Sequence, residues 1–294
     1  MTAHDAQEHV STFWNGTSLS PVETACLASF VRRGIAVRFF SYAPVVLPAG
    51  VEWVDAGTVL PQDRLFHFDG SPSAFSNVFR YTLLHEEGGW WVDTDVVFSG
   101  SRLPAQSHYW AWQDRSKING AVLRFPKGDA LCAGLLAESL SRASSLTEWG
   151  EIGPDLLTRF IRGGPFEALT QDMETTYPVH WLQAHYFWFP EFAPLVHARA
   201  RHATFVHLWN SLFERMGLDL GRPAPRGSYL SELTQQQFPD HSADLDGPAR
   251  AAAAASVRRY LSEDWVQSVV QQALPAGEQL LLPDENAAGE RLDI

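Results

Sequence analysis

Phe75-Ser76-Asn77-Val78-Phe79-Arg80-Tyr81-Thr82-Leu83-Leu84 is followed, three residues on, by Gly88-Gly89-Trp90-Trp91-Val92-Asp93-Thr94-Asp95. The first part reads as a helix over 73–87. Asn77, Arg80 and Leu84 fall at i, i+3 and i+7 on one face, while Phe75, Phe79 and Leu83 make a neighbouring apolar face. Gly88-Gly89 stops the helix, and a buried strand over 90–93 runs through Asp93-Thr94-Asp95 into the apolar run Val96-Val97-Phe98. If that segment is extended, Asp93 and Asp95 lie on one side with Cβ atoms roughly 6–7 Å apart. A divalent ion fits such a pair, and hard oxygen ligands favour Mg²⁺ or Mn²⁺ over zinc. Two carboxylates held together without a cation would repel each other.

Upstream, a short strand over 10–14 ends in the turn signal Asn15-Gly16. Ser20-Pro21-Val22-Glu23 then combines an N-cap serine, a first-turn proline and the glutamate of a capping box. The helix it opens puts Val22, Ala25, Cys26, Ser29 and Phe30 on one face and stops at Gly34. Strands over 37–42 and 51–55 follow, so the chain opens β-α-β, the pattern that builds a parallel sheet. Asp93 and Asp95 would sit at the carboxyl end of a strand, where open α/β sheets bind ligands.

Downstream, strand-like segments cover 109–113 and 121–125, with Asn119-Gly120 reading as a hairpin turn. Helices are expected over 128–142 and 154–162, and strands over 176–180 and 204–208. After Gly217 the composition shifts: Pro223, Pro225, Gly227, Pro239 and Gly247 punctuate a loop-rich stretch before one long helix over 249–273, with a polar, frayed tail over 275–294. The division expected is a catalytic domain over 1–217 and a loop-rich, helical C-terminal appendage over 218–294.

Composition narrows the classes. The 294 residues carry 22 Lys+Arg against 34 Asp+Glu, a formal charge of −12, with no basic block, which argues against charge-driven binding to nucleic acid or an anionic membrane. No stretch approaches the roughly 18 apolar residues of a membrane span, and Met1–Val10 lacks the apolar core of a secretory signal, so a cytoplasmic protein is expected. Cys26 and Cys132, the two cysteines, read as buried free thiols. There is no P-loop, GxGxxG or HExxH, which removes simple NTPase, dinucleotide and zinc-protease readings.

The whole string Ser76, Asn77, Arg80, Leu84, Gly88, Gly89, Trp91, Asp93 and Asp95 resembles the core motif of the DXD-containing sugar-binding-region glycosyltransferases of family thirty-two, which are related to the catalytic domains of the clostridial glucosylating toxins. Asn77 stands where that pattern often has Asp, and Trp91 where it often has Tyr. The resemblance implies an α/β fold of the GT-A type, a single Rossmann-like nucleotide-sugar-binding domain with a mixed central sheet. It also implies a metal-dependent, retaining hexosyltransferase that uses Mn²⁺ or Mg²⁺ and a nucleotide-sugar donor, UDP-sugar favoured, with a glycan, glycolipid or protein acceptor. Bacterial surface polysaccharide synthesis is the commonest setting.

Carried over by position, the resemblance makes Asp95 a direct metal ligand and puts Asp93 on the ribose and the metal shell. Arg80 would reach the donor sugar or diphosphate, Asn77 the sugar hydroxyls, and Trp91 lies within the donor-site motif. Phe13-Trp14-Asn15 resembles the family's opening strand, where an aromatic flanks the nucleobase; Trp14 as ordinary core has equal standing. His207-Leu208-Trp209-Asn210 resembles the H-x-W-N end of the catalytic domain, where His207 and Asn210 would complete the metal shell or hold the diphosphate. Asn119 is a turn residue or a sugar contact. Asp155, after Gly153-Pro154, either orients the acceptor or simply offsets a helix dipole. Two other functions compete: an inactive carbohydrate- or nucleotide-sugar-binding protein, and a glycoside hydrolase with Asp93 and Asp95 as acid and base.

Overall fold

The fold is seen in a computed structural model that describes residues 8–274, 278–283 and 290–291. Expectations for the first seven residues, and for most of the segment after 274, lie outside the described residues. Strands β1 (His9–Phe13), β2 (Ala36–Ser41), β3 (Val51–Asp55), β4 (Gly89–Val92), β6 (Tyr109–Trp112) and β7 (Ile118–Phe125) form one six-stranded sheet in the order β3-β2-β1-β4-β7-β6. The strands β3, β2, β1 and β4 run parallel, and β7 and β6 are antiparallel to their neighbours. The architecture is therefore α/β with a mixed central sheet. Its strand order reverses between β1 and β4, the switch point beyond whose carboxyl ends open α/β sheets form their ligand crevice.

Helix α1 (Pro21–Val31) starts with the capping box read from the sequence, Ser20 Oγ accepting from the backbone of Val22 and Glu23. It packs on one sheet face with Val10, Phe39, Trp90 and Val92. Helices α2 (Ser73–Glu87), α3 (Ala130–Arg142) and α4 (Pro154–Ile161) cover the opposite face, against Phe13, Phe40, Trp91 and Leu123. The alternation along β4, with Trp90 and Val92 on one side and Trp91 on the other, is the period-two pattern of a strand buried on both faces. By the same alternation Asp93 follows Trp91 onto the side of α2. Both cysteines are buried and unpaired, Cys26 in α1 and Cys132 in α3.

Several elements differ from the sequence reading. The segment 93–95 is not extended: Thr94 and Asp95 form a turn, and β5 (Val96–Phe98) leaves the main sheet to pair with β8 (Phe205–His207) in a small antiparallel ladder. That ladder, together with α7 (Tyr229–Gln235), encloses α1, so this helix is buried on nearly all sides rather than along one stripe. Asn119-Gly120 lies inside β7, and the hairpin turns instead at Asp114, whose Oδ1 accepts the backbone N–H groups of Ser116 and Lys117. No strand forms over 176–180, where Pro178 removes a ladder donor; a buried 3₁₀ turn over Trp181–Phe187 follows.

The C-terminal helix is two helices, α8 (Gly247–Leu261) and α9 (Asp264–Ala273), broken at Ser262-Glu263, where the Glu263 backbone turns extended. Helices α5 (Ala193–Ala200) and α6 (Asn210–Arg215) precede this region. Tyr229, Leu230, Val257, Leu261 and Val266 join the same apolar cluster as Val10 and Trp90, and Leu280 and Leu282 are buried there too, so 278–283 is packed rather than frayed. Among the described residues, no helix is long and apolar enough to cross a membrane.

Two buried imidazoles tie this half of the molecule to pH. Burial drives the rings of His180 and His185 down to about 4. His185 Nε2 donates to the carbonyl of Leu281 at 2.8 Å. Each ring titrates near 6.5 when unfolded, so the unfolded chain binds the extra proton first. The stability they contribute is complete above about pH 6.5 and is lost as pH falls towards 4, by about 3 kcal/mol per ring. Urea midpoints measured from pH 7.5 to 4 should follow that decline, and His185→Gln should flatten it.

Candidate functional site

The crevice beyond β1 and β4 collects the acidic segment. The parallel register pairs Ser11 with Trp91, and continuing it by two residues brings Phe13 level with Asp93. Asp93 closes β4, its N–H donating to the Ala121 carbonyl at 2.8 Å. From α2, Arg80 reaches across the shared face: Nη2 donates to Asp93 Oδ1 at 2.6 Å and Nη1 to Asn77 Oδ1 at 2.8 Å. Trp91 Nε1 donates to the same Asp93 oxygen at 2.7 Å, and the guanidinium lies 5.0 Å from the Trp91 ring centre. Arg80 is buried while Asp93 keeps a 30% exposed side chain, so the acid is held from below and opens upward.

Two glycines make room for this arrangement. A Cβ on Gly120 would lie 2.5 Å from Arg80 Nη1, and one on Gly153 would lie 2.9 Å from Asn77 Nδ2. Neither position needs a left-handed backbone. Each is a site of close approach, one by β7 and the other by the start of α4.

Asp95 is held from the other side. The β5–β8 register sets Val96 opposite His207, and the Leu208 N–H donates to the Asp95 carbonyl at 3.0 Å. His207 Nε2 lies 3.2 Å from Asp95 Oδ2, which also accepts the Asn210 backbone N–H at 2.9 Å. That N–H is aimed by Trp209, whose backbone is left-handed with φ 63°. Such a conformation costs a non-glycine residue of order 1–3 kcal/mol. Trp209 is anchored by its Nε1 donating to the Val179 carbonyl at 2.9 Å and by its ring 4.1 Å from that of His207. Burial pushes the Asp95 carboxyl up, but His207 and the Asn210 N–H outweigh it and hold its pKa below the ordinary carboxylate value. One ligand atom each from Asp93, Asp95 and His207 lies within 4.8 Å of the others.

The other residues singled out in the sequence take varied places. Trp14 and Asn15 are half-buried just past the end of β1, with Trp14 Nε1 donating to the Ser18 carbonyl. Phe13 is buried and stacks on Phe79 at 4.4 Å, and Trp91 is buried as well, so both support the site from inside the core. Asn119 spends both ends of its amide internally, on Gln113 and on the Ala121 N–H. Asp155, in the first turn of α4, pairs with Lys117 at 2.6 Å. Sequence reading missed Gly120 and Gly153 as spacers, and Lys117. It also took Glu23 for a helix cap alone, whereas its Oε1 accepts from Asn210 Nδ2 at 2.6 Å. The capping-box pattern was visible; its partner 187 residues away was not.

No family profile and no curated protein sequence matches the chain. Among solved structures it is similar to the PaToxG glycosyltransferase, at 10% identity and a TM-score of 0.42 over 81% of this chain and 87% of that one. It is similar to the bifunctional glycosyltransferase WbbM in its apo structure, at 9% identity and 0.46 over 94% of this chain but 53% of that one. It is also similar to the glycosyltransferase GlyE of Streptococcus pneumoniae TIGR4, at 12% identity and 0.36 over 93% and 66%. All three neighbours are glycosyltransferases, and all are remote.

The spacer role of Gly120 is directly measurable. Gly120→Ala should lower stability in urea by about 1–3 kcal/mol, the usual cost of overpacking. In an Arg80→Lys background, which lacks the obstructing Nη1 atom, the same substitution should cost about half as much or less.

Proposed function

We propose that the chain is a metal-dependent, retaining glycosyltransferase that moves a hexosyl group from a nucleotide-sugar, UDP-sugar favoured, to a hydroxyl of a glycan, glycolipid or protein. Synthesis of a bacterial surface polysaccharide is the setting we assign to it. The catalytic unit in this proposal is 1–217, with 218–294 as its support. The observation that carries the reading is the convergence of Asp93, Asp95 and His207 within 4.8 Å at the sheet's switch point, with Arg80 bonded to Asp93.

The donor set suits a divalent cation. Two carboxylates and an imidazole offer mixed oxygen and nitrogen ligands, and the imidazole favours Mn²⁺ over the harder Mg²⁺. Asn210 Oδ1, a carbonyl oxygen of the residue that bonds Asp95, is buried without a hydrogen-bond partner among the described residues, as is His207 Nδ1. Asp95, Asp93, His207 and Asn210 are the residues that would hold the ion. When bound, the cation supplies positive charge to the leaving diphosphate.

The chain's own groups do the rest by position. Arg80 holds Asp93 aimed into the crevice and adds a fixed positive charge beside the departing phosphates that needs no rearrangement during the reaction. Asn77, fixed by Arg80, presents an amide to the donor-sugar hydroxyls. Trp14 and Asn15 stand at the end of β1, where a nucleobase would lie. The acceptor hydroxyl attacks from the face the diphosphate leaves, and the diphosphate takes its proton, so no protein nucleophile is required.

A glycoside hydrolase fits less well, because it needs one carboxyl protonated near neutrality. Asp95 is held in the ionised form, and Asp93 is ion-paired with Arg80.

The test is turnover of a panel of nucleotide-sugars with and without Mn²⁺. Donor hydrolysis or transfer should require the metal, cease with chelator and be abolished in Asp95→Asn. An NMR assignment of the product anomer should show retention. Metal-independent turnover, or wild-type turnover in Asp95→Asn, overturns the proposal.

A further inference from the structure

Glu23 is a buried carboxylate on the rim of this cluster that the proposed mechanism does not use. Both of its oxygens are committed. Oε2 accepts the Ser20 N–H at 2.7 Å, which closes the capping box of α1, and Oε1 accepts from Asn210 Nδ2 at 2.6 Å. An ionised carboxylate only accepts hydrogen bonds, so the amide facing it must offer its NH₂ and turn its carbonyl oxygen away. Asn210 does so: its Oδ1 is buried with no hydrogen-bond partner among the described residues, an uncommon state for a buried carbonyl, while its backbone N–H is bonded to Asp95. A cation can take an amide oxygen as ligand but not an amide NH₂.

We infer that Glu23 is a positioning residue that fixes the orientation of the Asn210 amide, so that an oxygen and not an NH₂ group is offered to a divalent cation at Asp93, Asp95 and His207. The inference rests on the metal-dependent reading above. It gives the Ser20-x-x-Glu23 box a second function: the N-terminus of α1 holds one oxygen of Glu23 still, and the other then has a fixed place from which to orient Asn210. Glutamine satisfies a capping box as well as glutamate does. In Glu23→Gln, Oε1 can keep the Ser20 N–H, which leaves Nε2 facing Asn210. The Asn210 amide then turns over to accept that N–H and directs its own NH₂ the other way.

The experiment is Mn²⁺ binding, followed by loss of the free-ion EPR signal, with the metal alone and with UDP added, in wild type, Glu23→Gln, Asn210→Ala and the double variant, with urea midpoints for each. Glu23→Gln should keep its urea midpoint yet bind Mn²⁺ 10–100-fold more weakly, the range seen when residues orienting metal ligands are changed. The double variant should bind no more weakly than Asn210→Ala alone, because Glu23 acts through Asn210. Glu23→Ala, which frees the amide without reversing it, should fall between wild type and Glu23→Gln. Wild-type affinity in Glu23→Gln, or a loss that adds fully to that of Asn210→Ala, overturns the inference while leaving the metal-dependent reading intact. A wild-type protein that binds no Mn²⁺ in either condition overturns both.

Discussion

The ion pair between Arg80 and Asp93 joins the helical layer to the carboxyl end of the central sheet strands. A guanidinium buried to this degree has lost much of its hydration, and its fork replaces part of that with Asp93 on one side and Asn77 on the other. That requirement reaches into the backbone. Gly120 in β7 and Gly153 before α4 must both lack a side chain, because their Cβ atoms would occupy the space of Arg80 and Asn77. It also assigns Trp91 its place, since its indole N–H shares the Asp93 oxygen that Arg80 holds. A single carboxylate oxygen thus fixes α2 against the end of β4, with β7 and the start of α4 closing around the pair.

The sheet explains why this pair lies in an open crevice and not in the core. Strands β1 and β4 are adjacent, parallel and buried on both faces, but the connections leaving their carboxyl ends go opposite ways. Asp93 is the first residue past the end of β4, with one oxygen anchored and the side chain partly exposed. The chain then turns at once into β5, and the β5–β8 ladder sets His207 opposite Val96, next to Asp95. The two acids therefore meet through a turn and a second small sheet. They do not depend on the two-residue repeat of an extended strand.

How far the sequence could be read follows from which interactions are local. The helix over 73–87, the strand at Val51–Asp55 and the capping box at Ser20 are fixed by near-neighbour chemistry, and they lie where periodicity and punctuation put them. The Asn77–Arg80 bond is also local, one helical turn apart. What could not be read depends on partners far along the chain. The turn at Thr94 and Asp95 exists because β8 is available to pair with β5. The Asn119-Gly120 dipeptide looks like a turn, yet it is drawn into β7 while Asp114 closes the hairpin. A proline at 178 was enough to prevent a strand, and a signal of that kind was available in the sequence. The packing of Tyr229 and Leu280 into the cluster built on Val10 had no local signal.

Charge balance around the crevice gives the strongest physical reason for a cation there. Arg80 compensates Asp93. Among the described residues no Lys or Arg is bonded to Asp95, whose carboxylate is held by His207 and the backbone N–H of Asn210. The thiol of Cys26, one turn along α1 from Glu23, is pushed well above its ordinary value by burial and then by Asp95 and Glu23. A buried cluster in this state is costly by itself, yet it is assembled from a strained tryptophan, a capping box and a dedicated two-stranded ladder. Local strain of this kind persists where a function depends on the geometry it enforces. A divalent ion bound here, as proposed above, would relieve the repulsion and make use of the Asn210 oxygen, so features that are unfavourable by themselves would become favourable together with it.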